Sequence, residues 1–199
     1  ATSTYRIMPR IIEFTPITGT VGCLVTISGN GYGASSTVNI MLGTTLRRST
    51  PASSGGSWTT TFTIDTQGYG PTTVIATGTT YFESDSRSFS IQPAIWQVTP
   101  SGGTVGATIS IRGNGYATAT VINVWLGSRA ASITTTNTDA QGSFTTSFII
   151  DTQVYGTTSL LAKGAGNESA TNTVKILSKI TSVLPGAGTV GSTVEIVGN

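Results

Sequence analysis

The chain has 199 residues, only 9% of them charged, and its ten Lys and Arg against eight Asp and Glu leave a formal charge of +2. So sparse a charge offers no cation cluster for nucleic acid or an anionic membrane surface, and with no histidine anywhere in the chain, Ser-His-Asp and Cys-His nucleophiles, imidazole metal sites and an imidazole pH switch are excluded. A single cysteine, Cys23, rules out a disulfide within the chain, while 39 Thr, 23 Ser and 25 Gly make up close to half of it and favour strands and turns, hence an all-β fold.

Read in chain order, the elements repeat. Tyr5-Arg6-Ile7 and Pro9 return as Phe89-Ser90-Ile91 and Pro93, so residues 1–9 are expected to be the closing strand of a preceding repeat. Pro16 precedes Thr20-Val21-Gly22, which opens a strand whose residues Val21, Cys23, Val25 and Ile27 share one face. Gly29-Asn30-Gly31-Tyr32 then reads as a turn of residues that tolerate positive φ. Further inward rows follow at Val38, Ile40 and Leu42, at Trp58, Phe62 and Ile64, at Val74 and Ala76, and finally at Phe89 and Ile91. The whole pattern begins again 84 residues on, with Pro100, Thr104-Val105-Gly106, Ile109, Ile111, Gly113-Asn114-Gly115-Tyr116, Ile122, Val124 and Leu126. The strand Phe144–Asp151 matches Trp58–Asp65 at a spacing of 86, which places two extra residues in the loop before it. Pro185, Thr189-Val190-Gly191 and Gly198-Asn199 start a third copy. The expected organisation is therefore 1–9, a closing strand; 10–93, repeat one; 94–178, repeat two; and 179–199, the first strands of a third. Such a chain is either a window on a longer tandem array or a short subunit whose ends are completed by neighbours.

About seven short strands in 85 residues, with turns at regular spacing and no helical periodicity, point to immunoglobulin-like β-sandwiches in tandem. The order of Pro, Thr-Val-Gly, an alternating strand, Gly-Asn-Gly-Tyr and a Thr-rich strand led by Trp or Phe resembles the IPT/TIG-like immunoglobulin repeats of prokaryotic cell-surface proteins. The resemblance spans essentially the whole chain. It implies extracellular display in an array; for activity it implies little, since such repeats serve as stalks, adhesins, lattice subunits and appendages of enzymes. The direct run from Phe89 to Pro100 through Pro93 leaves hardly any linker, and a stiff joint is expected.

Few residues suggest chemistry. Asp65 and Asp151 occupy equivalent Ile-Asp-Thr-Gln positions and are expected to cap turns, because a hard cation needs several oxygen ligands and only Glu83 and Asp85 come near a cluster. No catalytic residue, metal ligand or cofactor-binding residue is assigned, and no cofactor is expected. Cys23 aligns with Ala107 and Ser192 and reads as a small packing position. Met41 and Trp125 fall on the outward phase of matched strands and are the candidate interface for self-association into a polymer, unless a neighbouring loop covers them. Trp96, just after the joint, is expected to pack between repeats. Asn167-Glu168-Ser169 fits the N-glycosylation pattern in a loop, and Thr134–Thr136 would suit O-linked sugar or an ordinary strand. No apolar run is long enough to span a membrane, and an extracellular or cell-surface location is expected. The functional expectation is a structural, non-enzymatic surface protein building a filament, sheath or lattice. The alternative is an adhesin stalk or a carbohydrate-binding module of a larger secreted protein, with glycans as partners and Trp125 as the sugar platform.

Overall fold

In a computed structural model that describes residues 7–199, the chain divides into two compact units, Ala1–Pro93 and Ala94–Asn199. Most of the strand expected over residues 1–9 lies outside the described residues. Unit one contains β1 (Arg10–Thr15), β2 (Thr18–Thr20), β3 (Leu24–Asn30), β4 (Thr37–Leu42), β5 (Thr45–Pro51), β6 (Trp58–Thr63), β7 (Gly70–Gly78) and β8 (Ser84–Gln92). They form a three-stranded sheet, β1-β3-β6, and a five-stranded sheet, β2-β8-β7-β4-β5. Every pairing is antiparallel except that of β2 with β8.

Alternation explains the layers. Ile11, Val25, Ile27, Trp58 and Phe62 from the smaller sheet and Val38, Ile40, Leu42, Val74, Ala76, Phe89 and Ile91 from the larger one are all buried in one shared core. Apolar residues at every second position put one face of each sheet inside and leave Thr and Ser outside. Cys23 is half-buried and packs against this core. The all-β fold is thus an immunoglobulin-like sandwich, with one short strand more per copy than the sequence pattern suggests. That strand, β2 or its counterpart, is only three residues long and too brief for periodicity to register.

The second unit repeats the plan with β9 (Ala94–Thr99), β10 (Gly102–Thr104), β11 (Thr108–Asn114), β12 (Val121–Leu126), β13 (Thr134–Asn137), β14 (Phe144–Ile149), β15 (Gly156–Gly164) and β16 (Ser169–Leu177). Its sheets run β14-β11-β9 and β10-β16-β15-β12-β13. A final hairpin, β17 (Ile180–Leu184) with β18 (Glu195–Gly198), reproduces the first two long strands of a copy, including their bulge. No second sheet faces it among the described residues, so Ile180 and Ile196, whose counterparts Ile95 and Ile111 are buried, are each 63% exposed.

The repeated glycines have two separate causes. In the Thr-Val-Gly turns, Gly22, Gly106 and Gly191 hold φ of 87°, 88° and 89°, a region that side chains with a Cβ rarely enter. In Gly-Asn-Gly-Tyr, the first glycine lies under an aromatic ring: a Cβ on Gly29 would sit 2.7 Å from Cζ2 of Trp58, and one on Gly113 would sit 2.7 Å from Cζ of Phe144. The motif therefore does more than turn the chain. Tyr32 and Tyr116 fold back into the cores, 5% and 0% exposed, and meet Trp58 and Phe144 edge-on at 5.5 and 5.3 Å between centroids. Each phenol donates a hydrogen bond to a carbonyl of the adjacent sheet, Ala76 at 3.2 Å and Ala162 at 3.5 Å.

Candidate functional site

Met41 and Trp125 stand half-buried on the outward phase of β4 and β12, between inward neighbours that are fully buried. Strand pairing gives each a company that spacing alone did not reveal. Met41 faces Ile75 on β7 and Leu46 on β5, and Trp125 faces Leu161 on β15. Both rows thus carry cross-strand apolar pairs on the outer face of the five-stranded sheet, where Leu46 is 53% exposed. Directly opposed side chains on one face lie close enough to touch and form a single surface. The signal for Ile75 and Leu161 was present as three consecutive apolar residues, Val74-Ile75-Ala76 and Leu160-Leu161-Ala162, one of which must point outward in a strand.

The repeated carboxylates are structural. Asp65, at the end of β6, takes the Arg47 guanidinium of β5 at 2.7 Å and the Gln67 amide at 2.9 Å, which ties the edge of one sheet to the other. Asp151 likewise pairs with Arg129, here in the loop between β12 and β13, and with the Gln153 amide at 2.9 Å. Turn capping is the role that their spacing alone predicts. The arginine partners are not legible from the repeat because they are not repeat-equivalent: in the strand register Arg47 corresponds to Ile133. Asp85 accepts the Ile11 amide at 2.7 Å while Arg87 donates to the Ile11 carbonyl at 2.5 Å, so the last strand grips the edge strand β1. Partial burial pushes the Asp85 carboxyl up, but the Ile11 and Ser86 amides and the Arg87 guanidinium outweigh it and hold the group below the usual carboxylate range. Burial, helped by nearby carboxylates, pushes the phenols of Tyr32 and Tyr116 well above the usual tyrosine range.

Asn167 is exposed at the turn joining β15 and β16, with φ of 69°. The next residue, Glu168, is 3% exposed and accepts the Ala117 amide at 3.3 Å, leaving its other oxygen without a partner. Its counterpart Glu83 accepts the Gly33 amide at 2.5 Å and the Tyr81 amide at 3.1 Å. These glutamates latch the hairpin turn onto the Gly-Asn-Gly-Tyr segment. Beside Glu83, a cleft of about 700 Å³ is lined by Ile7, Met8, Tyr81 and Phe82 among others; Phe82 is 80% exposed, and the corresponding turn in unit two carries Gly166 and Asn167 instead. Trp96, expected to pack at the joint, is 55% exposed. Among the described residues no helix is long and apolar enough to cross a membrane, and no three His, Cys, Asp or Glu side chains converge on a common point.

No family model matches the sequence, and no curated protein sequence matches it. Solved structures similar to the chain include the tetra-tandem repeat in the extending region of a large adhesion protein, 16% identical with a TM-score of 0.40, covering 87% of this chain and 50% of that one. The adhesin InvE of Yersinia pseudotuberculosis is 14% identical with a TM-score of 0.37, over 84% of this chain and 58% of that one. The C-terminal 282-residue fragment of intimin, solved with the intimin-binding domain of its translocated receptor, is 14% identical with a TM-score of 0.36, over 86% of this chain and 66% of that one. The chain thus spans little more than half the length of the first two.

Proposed function

We propose that this chain is a structural, non-catalytic part of an extracellular or cell-surface protein, in which IPT/TIG-like sandwich repeats build a filament, sheath or lattice through contacts on the outer face of the five-stranded sheets. The observation that carries this reading is the paired outward apolar row present in both units: Met41 with Ile75 and Leu46, and Trp125 with Leu161. The repeated core and turn residues serve the fold, whereas these rows place paired apolar area on an outer face. Asn167, exposed in its turn, is the glycosylation site of this reading, and the repeat bounds are 10–93 and 94–178.

Negative-stain electron microscopy of the chain across a dilution series tests this. Ordered filaments or sheets with a period of one or two sandwich domains support it. Dispersed monomers at every concentration overturn it in favour of the adhesin stalk.

A further inference from the structure

The smaller sheet of unit two presents a second outer face that self-association does not require. Across the β9–β11 ladder, Ile95 faces Gly113 and Gln97 faces Arg112, which leaves Trp96 as the extra residue of a bulge. Bulges re-aim side chains, and Trp96 stands 55% exposed with the Arg112 guanidinium 5.9 Å from its ring centroid. Trp58 is buried and Trp125 half-buried, so Trp96 offers the most open indole of the three. Arg47, Arg87 and Arg129 are paired with carboxylates; Arg112 is exposed, and no such ion pair engages it among the described residues. Arg112 in turn faces Thr145 on β14, and the adjacent row of the ladder reads Thr99, Ser110 and Ser147. None of these side chains is buried. In unit one the same bulge holds Ile12, and the row beside it reads Glu13, Ser28 and Thr59. The combination of an indole and a guanidinium with no carboxylate partner among the described residues is therefore found at the bulge of unit two and not at that of unit one.

From this face we infer a binding site for an acidic polysaccharide, one built from uronic acid units. A pyranose ring lays its carbon-bound hydrogens on the indole, whose broad apolar body offers contact area at little entropic cost. The planar guanidinium of Arg112 takes the sugar carboxylate with two parallel hydrogen bonds, a geometry that an ammonium cannot supply. Gln97 and Thr145, the ladder neighbours of Arg112 on either side, meet ring hydroxyls. An open sheet face suits an extended chain of sugars better than a compact small molecule, which would need a concavity.

The test is affinity electrophoresis of the whole chain through gels holding polygalacturonate, dextran sulfate or a neutral β-glucan. Polygalacturonate is expected to retard the chain most. Trp96→Ala and Arg112→Gln are each expected to weaken that retardation about tenfold or more, while Ile12→Ala, at the matching bulge of unit one, leaves it unchanged. Thermal unfolding of each variant beside the parent separates lost binding from lost folding. Absence of retardation by polygalacturonate overturns the inference, as does retardation that survives both unit-two substitutions. Equal retardation by dextran sulfate, insensitive to Trp96, would reduce the effect to bulk charge. Trp96-dependent retardation by the neutral glucan alone would remove the carboxylate from it.

Discussion

Gly113→Ala is the sharpest perturbation of the repeated core. The added Cβ would overlap the Phe144 ring, with Cζ at 2.7 Å and Cδ1 at 3.0 Å, and no backbone atom is among its nearest neighbours. The ring cannot retreat, because Phe144 is 4% exposed and held edge-on by Tyr116 at 5.3 Å and 70°. Overpacking a site of this sort costs about 1–3 kcal/mol, or roughly a 5- to 150-fold rise in the population of the open state. Hydrogen exchange read by mass spectrometry on the intact chain should show faster exchange of that order across β11 and β14, with β3 and β6 of unit one unchanged. In a Phe144→Leu background the two closest ring atoms, Cε1 and Cζ, are gone, and the same glycine substitution should lose much of its effect, a coupling of about 1 kcal/mol. Unchanged exchange in Gly113→Ala, or an equal cost in both backgrounds, would refute the close-approach reason for this glycine.

Three further outcomes follow from the same contacts. Tyr32 and Tyr116 have folded pKa values raised above the unfolded value of about 10, so above that pH the unfolded chain loses protons that the folded one keeps; urea stability should fall as pH rises past 10, and the Tyr32→Phe/Tyr116→Phe double variant should flatten that fall. Asp85 is shifted the other way, so its contribution is present above the unfolded value of about 3.9 and lost as pH drops through the folded one; Asp85→Asn should remove part of the acid sensitivity of unit one and leave unit two, which has Ala170 at that place, untouched in an exchange experiment at low pH. The Arg47–Asp65 tie is partly exposed, with side chains 22% and 29% accessible, so Asp65→Asn should lower urea stability by no more than about 1 kcal/mol, and by less at high salt.

Alternation made most of the fold readable. Val25, Ile27, Val38, Ile40 and Leu42 were assignable to the core because a strand with one buried face leaves a period of two, and the spacing of Phe89 and Ile91 continued it. Tyr32 and Tyr116 were hidden because an aromatic after Gly-Asn-Gly reads as part of a turn, and its burial depends on Trp58 or Phe144 arriving from a distant strand. Trp96 was hidden for a different reason: a bulge shifts the phase of its strand, so counting by twos no longer tells which side a residue takes. At the outer face, phase alone located Met41 and Trp125, but Ile75, Leu46 and Leu161 became their neighbours only once register was known.

Sedimentation velocity of the chain from low to high micromolar concentration, beside the Met41→Ser/Trp125→Ser double variant, tests the proposed assembly most directly. Both side chains are half-buried on an outer face, so the variant should keep the melting temperature of the parent to within a few degrees. The proposal expects the parent to sediment as growing assemblies and the variant as a monomer. A parent that remains monomeric throughout, or a variant that assembles equally well, would contradict it.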